Sequence, residues 1–161
     1  AEGRIRKAVI LDCDVHQGDG TASILKDDPS IFTLSIHGER NYPFRKEESD
    51  LDVALESGAG DDVYLDAVRR GVGTALDRAH ADLAIYLAGA DPYSGDRLGK
   101  LDVSGAGLAE RDRVVLDACA RHGVPVAVVM AGGYARDIEE TVGIQSATVR
   151  LVAARHAGGR S

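Results

Sequence analysis

Short apolar runs that stop at acidic or glycine-rich loops constrain this chain most. Ala8-Val9-Ile10-Leu11 enters Asp12-Cys13-Asp14-Val15-His16-Gln17-Gly18-Asp19-Gly20, and Leu83 to Leu87 enters Ala88-Gly89-Ala90-Asp91. Val128-Val129-Met130 enters Ala131-Gly132-Gly133-Tyr134. On an extended strand alternate side chains share a face, so Asp12, Asp14 and His16 project together where the strand gives way to a loop. A carboxylate and an imidazole two residues apart need one more carboxylate to make an open Asp/His/Asp site, which leaves the position for water that catalytic zinc requires. Asp91 ends a second strand and Tyr134 follows a third. All three would then meet at one edge of a parallel sheet, where ligands bind in open α/β folds. Acidic residues at strand ends also cap helices and fill polar loops, so the first motif alone does not decide between the two uses.

Between these runs the periodicity changes. Thr21 to Lys26 suits a short helix that Asp27-Asp28-Pro29 ends, because proline restricts the residue before it. Ile31 to Ile36 reads as a second buried strand, and the polar stretch from Glu39 to Ser49 as a surface loop of the kind that carries function. Leu51 to Leu55 adds a short extended segment. Asp61-Asp62 suits a helix start, and Leu65, Val68, Val72 and Leu76 recur at helical spacing. Gly71 and Gly73 weaken that helix and would let it approach a strand closely. A helix is expected from Gly105 to Arg121 with Ser104 as its cap, then a strand from Val124 to Val129. Asp137 with Glu140 three residues on has capping-box spacing ahead of a last helix that shows Ile138, Val142, Val149 and Val152. The tail Gly158-Gly159-Arg160-Ser161 is expected to fray. Alternating strands and helices make this an α/β chain with a mainly parallel sheet and helices on both faces.

A length of 161 residues suits one domain with its own core, and no apolar run approaches the ~20 residues that span a bilayer. There is no secretory pattern at the start, and Cys13 and Cys119 give no disulfide framework, which fits a reducing, cytoplasmic setting. A net charge of -7 argues against a general nucleic-acid binder and is compatible with a cationic substrate. The chain opens Ala1-Glu2-Gly3-Arg4-Ile5-Arg6 without an initiator methionine and enters its first strand at once, which reads as a piece of a longer chain.

The three strand-end stretches resemble the D-x-D-x-H-x-G-x-G, G-x-D-x-x-x-G-D and G-G-Y motifs of the zinc-dependent histone deacetylase superfamily. His16-Gln17-Gly18-Asp19-Gly20 together with Asn41-Tyr42-Pro43-Phe44-Arg45-Lys46-Glu47 is closest to its class IV-like branch and bacterial relatives. The resemblance runs from about Lys7 to Val152. It implies an arginase/deacetylase-like fold, here incomplete, with residues 1–161 as the C-terminal portion of a single catalytic domain. The N-terminal half, with a His-His pair that this chain lacks, would be its partner. It implies Zn²⁺ on Asp14, His16 and Asp91, and hydrolysis of an acyl amide on a lysine or polyamine amine. Tyr134 would donate to the oxyanion, and Asp12 and Asp19 would orient the absent histidines. Potassium would sit on Asp12, Asp14, His16, Ser35 and Ile36. Gly132 and Gly133 would leave room for the substrate chain, Phe44 would line its channel, and Asp96 would lie close to the zinc.

Two other readings stay open. An arginase-like binuclear manganese ureohydrolase places Asp and His at the same strand ends but favours D-x-H-x-D spacing. A fragment that holds a metal and does no chemistry fits the missing histidines. His80, His122 and His156 fall at helix ends, where an imidazole commonly caps carbonyls. His37 follows a strand, where a structural use is favoured over one in the site.

Overall fold

The computed structural model describes residues 5–158. Five strands, β1 (Ala8–Asp12), β2 (Ile31–Gly38), β3 (Leu51–Leu55), β4 (Leu83–Ala88) and β5 (Val126–Met130), form one parallel sheet in the order β3-β2-β1-β4-β5. Four helices connect or follow them: α1 (Asp19–Leu25), α2 (Asp61–Ala79), α3 (Gly105–Arg121) and α4 (Ile138–Gly158). From β1 the chain steps one way to β2, and after β3 it crosses back to β4 and β5. Right-handed crossovers therefore put α1 on the face opposite α2 and α3. The reversal leaves a crevice between the ends of β1 and β4, where an open α/β sheet binds its ligand.

The main core lies under α2 and α3. Val9 and Leu11 of β1, Leu34 and Ile36 of β2, and Ala84 and Tyr86 of β4 pack there with Tyr64, Val68, Val72, Leu108 and Val115. Leu65, Val68, Val72 and Leu76 are buried, as the helical spacing predicts. Burying one such side chain contributes roughly 1.5–3 kcal/mol. A Cβ on Gly71 would come within 3.3 Å of Ile36 Cδ1, so this glycine lets α2 lie close to β2; a Cβ on Gly73 meets nothing within 4 Å. The close approach expected of both glycines holds for Gly71 alone. Cys13 and Cys119 are free thiols inside the core.

Ser104 caps α3: its Oγ accepts from Gly107 N–H at 2.9 Å and donates to Asp61 Oδ2 at 2.6 Å, which joins the starts of α2 and α3. At α4 the expected capping box does not form. Asp137 accepts from Glu139 N–H at 3.0 Å, but the Glu140 carboxylate turns away to accept the Tyr93 hydroxyl at 2.9 Å. The α4 stripe differs too. Ile138, Val142 and Val149 are 63%, 48% and 55% exposed, while Thr141 and Thr148 are buried and Ile144 packs on the core. Strand β5 starts two residues later than the expected Val124. His80 and His122 follow the last turns of α2 and α3, and His156 lies in the last turn of α4. The end of the expected frayed tail, 159–161, lies outside the described residues. No helix among the described residues is long and apolar enough to cross a membrane.

Candidate metal centre

Asp14, His16 and Asp91 come together at the mouth of the β1/β4 crevice, each offering one ligand atom within 4.8 Å of the others. Both carboxylates are held by the backbone, Asp14 at both oxygens because its Oδ1 accepts from His16 N–H at 2.9 Å. Asp14 Oδ2 accepts from Gly132 N–H at 2.7 Å, and Asp91 Oδ1 from Val15 N–H at 2.9 Å. The other oxygens, Asp14 Oδ1 and Asp91 Oδ2, face His16 Nδ1 at 3.0 and 3.1 Å. The ends of β1 and β4 thus aim one imidazole nitrogen and two carboxylate oxygens at one point, and the loop after β5 adds the Gly132 N–H. Two hard oxygens and a borderline nitrogen with room for a fourth ligand are a donor set that zinc accepts, and the arrangement fits that ion.

Charge is concentrated here. Hydrogen bonds to Asp14 and then Asp91 raise the His16 imidazole to a pKa of about 10. Burial opposes ionisation of Asp14, but hydrogen bonds from His16 and Gly132 N–H outweigh it and hold the carboxyl below its ordinary range. Burial pushes Asp91 up. Asp12 lies one step deeper, 5% exposed, and burial raises it to about 7 although its Oδ1 accepts from Asp14 N–H at 3.0 Å. This cluster of carboxylates, partly neutralised by one imidazolium, is suited to a divalent cation.

The loops leave no slack around these groups. A Cβ on Gly132 would overlap the Asp91 carboxylate and come within 2.7 Å of Asp14 Oδ2, and one on Gly89 would lie 2.7 Å from Asp14 Cα. Ala90 N–H donates to Gly132 C=O at 2.6 Å, which joins the two loops. Behind them the fully buried Arg111 donates from Nη1 to Gly89 C=O at 2.5 Å and from Nε to Asp112 at 3.0 Å. Its Nη2 lies 2.9 Å from the same Asp112 oxygen as an ion contact without hydrogen-bond geometry. Nothing in the strand-end motifs announces this pair.

In front, a cavity of about 420 Å³ is lined by His16, Arg40, Asn41, Tyr42, Phe44, Leu98, Lys100 and Tyr134. Tyr134 and Phe44 therefore stand at the mouth with the metal centre. Phe44 is 86% exposed and meets the Tyr42 ring edge-on at 6.1 Å. Asn41 is buried, donates from Nδ2 to Leu98 C=O at 2.8 Å and accepts from Lys100 N–H at 3.2 Å. It fastens two loops that sequence spacing does not connect. Asp96 spends its carboxylate on backbone, accepting from Leu98 and Gly99 N–H at 2.8 Å and from Tyr134 N–H at 2.5 Å.

The remaining expected site residues fall as follows. A Cβ on Gly133 would meet Thr141 Cγ2 at 2.6 Å and Ala90 Cβ at 3.0 Å, so that position serves packing against α4. Asp19 opens α1 and accepts from Gly20 N–H at 2.9 Å. Ser35 pairs with Asp12 across β1 and β2, next to Ile36, and its hydroxyl meets His37 Nδ1 at 3.0 Å. His37, expected after the strand, lies within β2, which runs to Gly38; it is buried, and burial lowers its pKa. Gln17 was not singled out by the motifs, yet it donates to Glu47 C=O at 2.7 Å and to Asp52 at 2.9 Å, anchoring the polar loop.

The model of the histone deacetylase domain matches residues 1–148. The chain belongs to the histone deacetylase family. Among curated proteins it is 47% identical over 140 residues to an uncharacterized protein of Picosynechococcus sp., covering 87% of this chain and 47% of that protein. It is 29% identical over 164 residues to a histone deacetylase-like amidohydrolase of Pseudomonas aeruginosa, covering 89% of this chain and 43% of the relative. The chain spans about half the length of these curated relatives. The crystal structure of the HDA15 HD domain matches with a TM-score of 0.76 at 26% identity, over 97% of this chain and 48% of that one. The acetylpolyamine aminohydrolase of Burkholderia pseudomallei matches at 0.70 and 22%, over 90% and 42% of the two chains, which shows the fold.

Proposed function

We propose that this chain is the C-terminal portion, residues 1–161, of a zinc-dependent acyl-amide hydrolase that removes an acyl group from a lysine or polyamine amine. The observation that carries the reading is the convergence of His16 Nδ1, Asp14 Oδ1 and Asp91 Oδ2, with the opposite carboxylate oxygens held by backbone N–H groups. Zinc on those atoms would polarise the scissile carbonyl and acidify a water towards a pKa of ~7. The names of the amidohydrolase and aminohydrolase relatives support the same reaction class, and the single three-residue cluster found among the described residues favours it over a binuclear ureohydrolase.

In this reading the residues divide the work. Tyr134 donates its hydroxyl to the oxyanion that develops on the carbonyl, and Gly132 keeps the approach open. Asp12 and Asp19 orient two histidines contributed by the preceding half of a longer polypeptide, which act as base for the water and acid for the leaving amine. Asp12, Asp14, His16, Ser35 and Ile36 would hold a structural potassium ion between β1 and β2. Phe44 walls the channel for the acyl amine. The protein works in the cytoplasm.

Hydrolysis of an acetyl-lysine peptide with zinc present tests this, using the chain alone and a version extended N-terminally to the length of its relatives. Activity is expected only in the extended version. Activity in the chain alone would require another base, and inactivity of both would favour a metal-binding role without chemistry. Replacing Asp14 or Asp91 by Ala should abolish zinc uptake; an unchanged metal stoichiometry would remove the ligand assignment.

A further inference from the structure

The mouth of the cavity is cationic in a chain whose net charge is -7. Arg40 and Lys100 line it directly, both exposed, with Tyr42 and Phe44 beside them. Lys100 Nζ donates to Arg40 C=O at 2.7 Å, which holds its ammonium at the rim. Arg97 donates from Nε to Tyr134 C=O at 3.1 Å and adds a third cation next to the tyrosine. Lys46 lies below, its ammonium bonded to Asn41 C=O at 2.7 Å and to Pro43 C=O at 2.5 Å. The nearby acids offset this only in part. Glu39 and Asp19 act on Lys46, and Asp96 has both carboxylate oxygens engaged by backbone N–H groups.

Four cations within one loop cluster create a local positive potential that steers anions in and keeps cations out, and salt weakens the effect. A polyamine presents ammonium groups along its whole length, so that rim opposes its entry. An acyl amine with carboxylates near the acylated end meets complementary charge, while Tyr42 and Phe44 provide apolar surface for the intervening chain.

Resting on the acyl-amide reading above, we infer that the Arg40, Arg97 and Lys100 rim is an anion-binding subsite that selects acylated amines bearing carboxylates over acylated polyamines and basic peptides. The carboxylates can belong to acidic residues flanking an acyl-lysine or to a free acyl amino acid.

The test is binding, followed separately from turnover. Fluorescently labelled acetyl-lysine peptides with Asp/Glu, neutral or Lys/Arg flanks are titrated against the zinc-loaded 161-residue chain by anisotropy. Acetyl-lysine with a free carboxylate and an acetylated spermidine serve as unlabelled competitors. The acidic peptide should bind at least tenfold tighter than the basic one at low salt, with the gap closing as salt rises. The acetylated spermidine should compete worst, and the double variant Arg40→Glu with Lys100→Glu should reverse the order. Competition by the free amino acid as strong as that of the acidic peptide assigns the carboxylate to a small molecule; weak competition assigns it to a peptide. Equal binding of the three peptides, stronger competition by the polyamine, or no measurable binding of the acidic peptide overturns the inference. A charge preference in binding with no cleavage of any acyl amine by the extended version would remove the hydrolase reading and leave the subsite standing.

Discussion

Two positions without side chains decide how closely Asp14 and Asp91 can share an ion. A methyl group on Gly132 would overlap the Asp91 carboxylate, and that overlap lies at the metal centre rather than in the core. Gly132→Ala should therefore lower zinc affinity at least tenfold, read by competition with a chelator, while the thermal midpoint of the metal-free chain changes little. In the extended enzyme Tyr134→Phe should lower kcat by about two to three orders of magnitude with a modest change in KM, since a preorganised oxyanion donor contributes ~3 to 4 kcal/mol. Steady-state kinetics decide it, and a pure KM effect would contradict the role. At this scale the meeting of Asp14, His16 and Asp91 was legible because Asp14 and His16 are neighbours on one strand end and Asp91 follows another. Arg40, Asn41 and Lys100 were not, because two distant loops bring them to one mouth and no local spacing records that meeting.

Elements are joined by polar contacts at their ends as much as by their apolar faces. Ser104 caps α3 and bonds Asp61 at the start of α2, so Ser104→Ala removes both contacts. An N-cap loss of ~1 kcal/mol is expected, with a fall in Tm of roughly 2–4 °C in calorimetry. The Arg111–Asp112 pair links more elements: Asp112 also accepts the hydroxyls of Tyr86 in β4 at 2.6 Å and of Thr148 in α4 at 2.5 Å. Arg111→Met would leave the Asp112 carboxylate buried without its cation, a cost of about 3–5 kcal/mol that a urea titration would register as a lowered midpoint. The cap at Ser104 could be read from the chain because it is local. The role of Glu140 could not, since the spacing that suggests a capping box is equally served by a partner 47 residues away in Tyr93. The stripe on α4 misled for a different reason. Helical periodicity marks apolar residues without saying whether this chain supplies what covers them.

For the molecule as a whole, the uncovered side is the β5 edge. Val129 and Met130 are 45% and 60% exposed, and Ile138, Val142 and Val149 of α4 continue the same apolar character. An unpaired edge strand of this composition templates further strand pairing. The chain alone should therefore bind a hydrophobic dye and self-associate with rising concentration, and the extended version should do neither. Light scattering would show it, and a monodisperse chain without dye binding would contradict it. The parallel sheet followed from the alternation of runs within the chain, whereas its strand order came from the structure and the state of its outer edge depends on what lies beside it.

The two core thiols give this molecule a clock. Burial raises Cys13 to about 12 and Cys119 to about 11, so at neutral pH neither is a thiolate nor within reach of a reagent. Alkylation can proceed only when the structure opens, and its rate then measures how often each region does so. Cys13 lies between Asp12 and Asp14 of the candidate centre and Cys119 near the end of α3. Equal rates would describe one cooperative opening, and a slower Cys13 on adding zinc would time the closing of the metal loop without any substrate.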